Sequence, residues 1–143
     1  MGTTTVHAPP IDKLSLVVFS GEFDKVHYAL LLASAALAAN IPVTLFFTMW
    51  ACQALCRPGK ISTAPEAASF PSRDQHLAEE GIATFEELLA ATVALGGRFI
   101  VCETGLKAMG LTVADLRPDV PVELAGAVTF LVDSSHDGGL MFI

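Results

Sequence analysis

Residues 14–48, LSLVVFSGEFDKVHYALLLASAALAANIPVTLFFT, hold a strand, a helix and a second strand in close succession. Leu14 to Ser20 (LSLVVFS) is a short, unbroken apolar run rich in β-branched residues, the pattern of a strand covered on both faces of a sheet. Gly21 breaks it. Asp24 is expected to cap the helix that follows, in which Val26, Leu30, Ala33 and Leu37 recur at helical spacing until Asn40 and Pro42 stop it. Val43 to Thr48 (VTLFFT) repeats the strand pattern. Strand, helix and strand joined by short turns make a parallel crossover unit, because parallel neighbours need a connection running back along the whole sheet. A membrane hairpin of Val26–Ala39 and Val43–Leu55, flanked by Lys25 and Arg57, is the competing reading. Its arms, about 14 residues or fewer, are too short to cross a hydrocarbon core.

Outward from this unit, Trp50 to Leu55 reads as a short helical piece, and Arg57 to Arg73, with Pro58, Gly59, Pro65 and Pro71, as a long loop. Thr84 and Glu87 have capping-box spacing ahead of an amphipathic helix through Phe85, Leu88, Leu89, Thr92 and Leu95, closed by Gly96 and Gly97. Phe99 to Cys102 is a third strand, with Thr104 as the expected cap of a short helix ended by Gly110, and Thr112 with Asp115 repeats the capping logic. In the last third, Val122 to Leu124 reads as a strand, while Ala127 to Val132 suits either strand or helix. A parallel sheet needs a crossover before its final strand, which selects a helix over Ala127 to Asp133 and a fifth strand over Leu140 to Ile143. The expected fold is a three-layer α/β/α sandwich on a mainly parallel five-stranded sheet: a flexible tail over residues 1–10, then one domain over 11–143.

Composition narrows the function. The formal charge is −7, with eight Lys and Arg and no basic cluster, which argues against nucleic acid binding. Apolar residues make up 52% before 11 Gly are counted, above the roughly 45–50% including glycine of ordinary soluble domains. A surplus of that kind is expected to be buried between subunits. Three cysteines, and a polar, proline-bearing Met1 to Pro10 in place of an apolar leader, point to a reduced, cytoplasmic protein without a disulfide framework.

Chemistry in such a sheet collects at the carboxyl ends of the strands, here Ser20–Glu22, Thr48–Cys52 and Cys102–Thr104. Gly21 and Glu22 follow the first strand, but no glycine-rich phosphate motif accompanies them. Cys102 ends a strand where a helix begins, so the first helical amides would favour its thiolate, whereas Glu103 beside it works against a second negative charge. From position alone a small buried hydrophobe is the favoured reading over a reactive thiol. Cys52 and Cys56 share a helical face but lack the paired spacing of a zinc site, so no metal and no cofactor is expected. Cys52 could instead serve Cys102, and Trp50 could plug the core, a subunit contact or a ligand pocket. His27 reads as a helix-face residue, and His136 with Asp137 as a polar turn.

The segments FFTMWACQAL (46–55) and VCETGLKAMGL (101–111), with the opening LSLVVFSGEFDKVHYALLLASAALA (14–38), resemble the DsrE/DsrF-like family in order and spacing. The resemblance implies a three-layer sandwich that forms homo-oligomers, commonly trimers or hexamers. It also implies sulfur relay, in which a cysteine takes sulfur as a persulfide from a donor protein and passes it to an acceptor. Cys102 stands where that cysteine is expected, with Trp50, Cys52, Glu103, Thr104, Gly21 and Glu22 around it. Cys52, Ala51 and the proline-rich 57–73 segment depart from the family pattern. The expected function is a sulfur carrier or sulfurtransferase. Its competitors are a non-catalytic oligomeric module binding a small ligand or metal, and a redox sensor pairing Cys102 with Cys52.

Overall fold

A computed structural model describes residues 10–57 and 70–143. Strands β1 (Leu14–Val18), β2 (Val43–Phe47), β3 (Arg98–Cys102), β4 (Val122–Ala125) and β5 (Gly139–Phe142) form one sheet in the order β4-β3-β2-β1-β5. Every pairing in it is parallel. Helices α1 (Phe23–Ala38), α2 (Phe70–Glu79), α3 (Phe85–Ala94), α4 (Glu103–Ala108) and α5 (Ala127–Asp133) lie between the strands in sequence. The first four strands step across the sheet in one direction, and the chain then returns past β1 to add β5. Crossovers of one hand put helices on opposite faces when the direction of travel reverses, which accounts for α5 lying opposite α1 and α3.

One face is deeply packed. Leu14, Leu16 and Val18 of β1, with Leu45, Phe47, Phe99 and Val101, meet Val26, Leu30 and Ala33 of α1 and Leu88 and Leu89 of α3. The other face holds a smaller cluster of Phe46, Ile100, Cys102 and Phe130, with Phe46 and Phe130 stacked at 5.1 Å. Asp133, at the end of α5, ties that helix to the amino ends of the strands. Its Oδ2 accepts hydrogen bonds from Lys13 Nζ and Thr44 Oγ1, each at 2.6 Å, and its Oδ1 accepts from Arg98.

Several local expectations are corrected. Asp24 does not cap α1; Glu22 holds the cap position without a side-chain bond, and Asp24 sits in the first turn, paired with Arg73 at 2.7 Å. Thr84 accepts the Glu87 amide at 3.2 Å as expected. The segment read as a loop over 57–73 ends in helix: α2 begins at Phe70, while residues 58–69 lie outside those described. Pro71 had argued for a loop, yet in the first turn of a helix a missing N–H costs nothing. The ring of Phe70 anchors α2, meeting Phe23 and Phe85 edge-on at 5.0 and 5.6 Å. The expected tail over 1–10 also lies outside the described residues, apart from Pro10.

Candidate functional site

The carboxyl ends of β1, β2 and β3 are drawn together by backbone contacts. After β2, Thr48 donates to the Val18 carbonyl at 3.0 Å and Ala51 to the Phe19 carbonyl at 3.2 Å, so the 3-10 segment Met49–Leu55 is hooked onto the end of β1. Met49 turns the chain with φ of 50°, a left-handed conformation unfavourable for a side chain with a Cβ and kept where surrounding contacts enforce it. Gly21 lies against Trp50: a Cβ there would stand 3.0 Å from the Trp50 Cβ. Gly105 is tighter still, since its Cβ would meet the Met49 nitrogen at 2.6 Å and Thr48 Oγ1 at 3.0 Å. Only glycine lets α4 approach the β2 turn so closely, which holds the start of α4 beside that turn.

Cys102 occupies the cap position of α4, correcting the expectation that Thr104 would. Its Sγ accepts the Gly105 N–H at 3.4 Å, the contact of a sulfur with a helix-start amide. The residue is 8% exposed, packed with Phe46, Ile100 and Phe130. Glu103 and Thr104 are exposed on the first turn of α4, and Glu22 is exposed after β1. Trp50 is 46% exposed, so it does not plug the core of the single chain.

The other two thiols belong to the opposite packing. Cys52 is fully buried in the α1 and α3 cluster, its Sγ directed at the Phe47 carbonyl at 3.8 Å. Burial, then the neighbouring Cys102 and Cys56 sulfurs, push its thiol up to about 12. Burial, with Asp115 nearby, pushes Cys56 up to about 11. Cys56 is not helical but ends the 3-10 segment, bridged to Leu116, with its Sγ on the Cys52 carbonyl at 3.6 Å. All three cysteines are free. At neutral pH Cys52 and Cys56 are therefore uncharged thiols with poor nucleophilicity.

Residues 11–72 match the DsrE/DsrF/DrsH-like family. Over that stretch, less than half of its length, the chain is similar to this family. At the level of the family this suggests sulfur relay. The chain is 23% identical to YrkE of Bacillus subtilis (strain 168), an alignment covering 92% of this chain and 96% of that protein. Among solved structures it is similar to the ychN protein from E. coli, with a TM-score of 0.55 and 16% identity over 92% of this chain and 99% of that one, a likeness of fold. MTH1491 from Methanobacterium thermoautotrophicum gives a TM-score of 0.49 and 18% identity over 92% of this chain and 98% of that one.

Among the described residues no group of three or more His, Cys, Asp or Glu side chains converges to hold a metal, and no helix is long and apolar enough to cross a membrane. His27 is a buried tether, with Nε2 2.8 Å from the Ala83 carbonyl and its ring stacked on Phe23, whereas His136 and Asp137 form an exposed pair at 3.1 Å. Sequence reading missed Met49 and Gly105 as the parts that shape the site. Gly105 carried a signal, since glycine inside a helix is unfavourable unless something approaches closely. Met49 carried none.

Proposed function

We propose that the chain is a sulfur carrier or sulfurtransferase that holds sulfane sulfur as a persulfide on Cys102. The observation that carries this reading is the Gly105 N–H at 3.4 Å from the Cys102 sulfur. The thiolate is the form that attacks sulfur, and this N–H is a donor directed at the atom that would carry the charge. In the transfer step the Cys102 sulfur attacks the outer sulfur of a donor persulfide. A new S–S bond forms at Cys102, the donor's S–S bond breaks, and the donor leaves as a thiol carrying the displaced proton. There is no net oxidation. Passing the sulfur to an acceptor thiol is the same exchange in reverse, so donor and acceptor proteins are the partners and a reducing, cytoplasmic setting suits it. Trp50, Glu103, Thr104, Gly21 and Glu22 would line the approach, with Cys52 packing beneath.

The same reading includes a homo-oligomer, a trimer or hexamer. Supporting it, Val128 and Val132 of α5 are 76% and 80% exposed, and Phe142 of β5 is 68% exposed. Phe142 pairs with Val17, which packs against the Cys102 cluster, so these apolar side chains lie on the same side of the sheet as the reactive sulfur.

Intact-protein mass spectrometry of wild type and Cys102→Ser after incubation with a sulfane-sulfur donor tests the assignment. Serine is itself a good helix cap, so the variant should stay folded. A reducible gain of one sulfur atom confined to wild type is the expected result. No gain, with Cys102 inert to alkylation in the folded protein, would leave a non-catalytic ligand-binding module in its place.

A further inference from the structure

On the face opposite the Cys102 cluster, a cavity of about 380 Å³ lies between the 3-10 segment, α2 and the start of α3. That volume falls within the range of small-molecule sites. Its wall runs from Gly21 through Gln53, Ala54 and Cys56 to Phe70, Asp74, Phe85 and Glu86, without Cys102. We propose that this cavity binds a small organic cation, a molecule with one ammonium group on an aromatic or branched aliphatic body. The buried Gln53 Nε2 has no partner among the described residues and offers a donor to an oxygen of the ligand beside its ammonium site.

The lining selects that chemistry by charge and by shape. Arg117, also in the wall, is held by two carboxylates: Glu86 grips Nη1 and Nη2 at 2.9 and 2.7 Å, and Asp119 takes Nε and Nη2 at 2.7 and 2.8 Å. The guanidinium is therefore more than neutralised and has little attraction left for an anion. Asp74 adds a third carboxylate. Its Oδ1 accepts the Phe85 N–H at 2.6 Å, and its Oδ2 has no partner among the described residues. Arg73, next in sequence, is paired away with Asp24. An ammonium group placed on Asp74 would gain a charge-assisted hydrogen bond in a half-enclosed site. Phe70 and Phe85, set edge to face at 5.6 Å, give an apolar wall for its body. The Cys56 thiol, pushed up to about 11 by burial and by Asp115, stays uncharged and leaves the ligand unmodified.

Nuclear magnetic resonance titration of the full chain with phenethylamine, 2-phenylethanol and hydrocinnamate tests this, since the three probes share a body of similar shape and differ in charge. Phenethylamine should shift the amides of Ala54, Phe70, Phe85 and Glu86 and bind about tenfold tighter than the alcohol or the carboxylate, the ratio expected from one hydrogen bond to a charged group. Asp74→Asn keeps an oxygen for the Phe85 N–H while removing the charge. It should lower phenethylamine affinity about tenfold and leave the alcohol unaffected. Ala54→Leu, which narrows the cavity without touching charge, should weaken all three, and Cys102→Ser should change none of them. Shifts scattered over acidic surface residues, tighter binding of the carboxylate, an amine preference that survives Asp74→Asn, or no shift at the cavity amides with millimolar amine would each overturn the proposal.

Discussion

The two faces of the sheet are built to different standards. Under α1 and α3, Leu16, Leu30, Leu45, Phe47 and Phe99 have essentially no exposed surface, covered by helices of 16 and 10 residues. Under α5 the cover is a single helix of seven residues, resting on Phe130 and the Asp133 bonds, with apolar side chains left facing outward on α5 and β5. The sealed face accounts for the bulk of the stability. The thin face carries Cys102, which is 8% exposed there; in the proposed sulfur exchange it is this thinner cover that a donor would have to pass. Cys52 and Cys56 show the contrast in one residue type: burial on the sealed side holds them as neutral thiols, up at about 12 and about 11.

The largest effect should come from opening the sealed face. Phe47→Ala is expected to cost about 3–5 kcal/mol in chemical denaturation, because the rigid surroundings cannot collapse into the space. Phe130→Ala on the thin face should fall at or below the low end of that range and raise amide exchange mainly in α5. Equal costs with global exchange in both variants would end the distinction between the faces.

Next is Asp133→Asn, expected to cost about 2 kcal/mol through weakened bonds to charged partners. Burial pushes the Asp133 carboxyl up, but hydrogen bonds from Lys13 and Thr44 and the charges of Lys13 and Arg98 outweigh it and hold it below its ordinary range. A depressed carboxyl contributes stability that is fully present above its unfolded value and lost as pH falls through the folded one. The gap between wild type and Asp133→Asn should therefore be constant at neutral pH and shrink below about pH 4. A gap independent of pH would show that shape, not charge, holds α5.

Gly105→Ala should cost about 1–3 kcal/mol, since its Cβ would press on backbone and not on a movable side chain. It should also alter the alkylation rate of Cys102 while leaving Cys52 and Cys56 unreactive. A wild-type rate at Cys102 would separate the close approach of α4 from the thiol's environment. The smallest change in stability, within about 0.5 kcal/mol, is expected for Val132→Glu on the exposed side of α5. Its effect should appear in sedimentation instead, as a smaller species than the proposed oligomer that wild type is expected to form. An unchanged sedimentation coefficient would remove α5 from the subunit contact.

The strands and most helices were legible because their signals are local. Continuous apolar runs, a Thr84 cap and the alternation of a parallel sheet led to β1, β2, β3, α3 and even α5 with little error at the boundaries. Where reading failed, a distant partner had overridden a local preference. Phe70 finds Phe23 and Phe85 across the fold and draws a proline-bearing stretch into helix. Cys102, not Thr104, caps α4 because β3 runs directly into it, which brings its sulfur to the Gly105 N–H.

Periodicity, turn chemistry and the absence of basic clusters were enough for a parallel α/β sandwich with a cysteine at a strand end, since each depends only on neighbours along the chain. Which cysteine lies on the thin face, which two are sealed, and where Asp74 meets Phe85 all depend on strand order and on which way each crossover turns. Those juxtapositions join residues far apart in sequence, so they exist only once the sheet has closed.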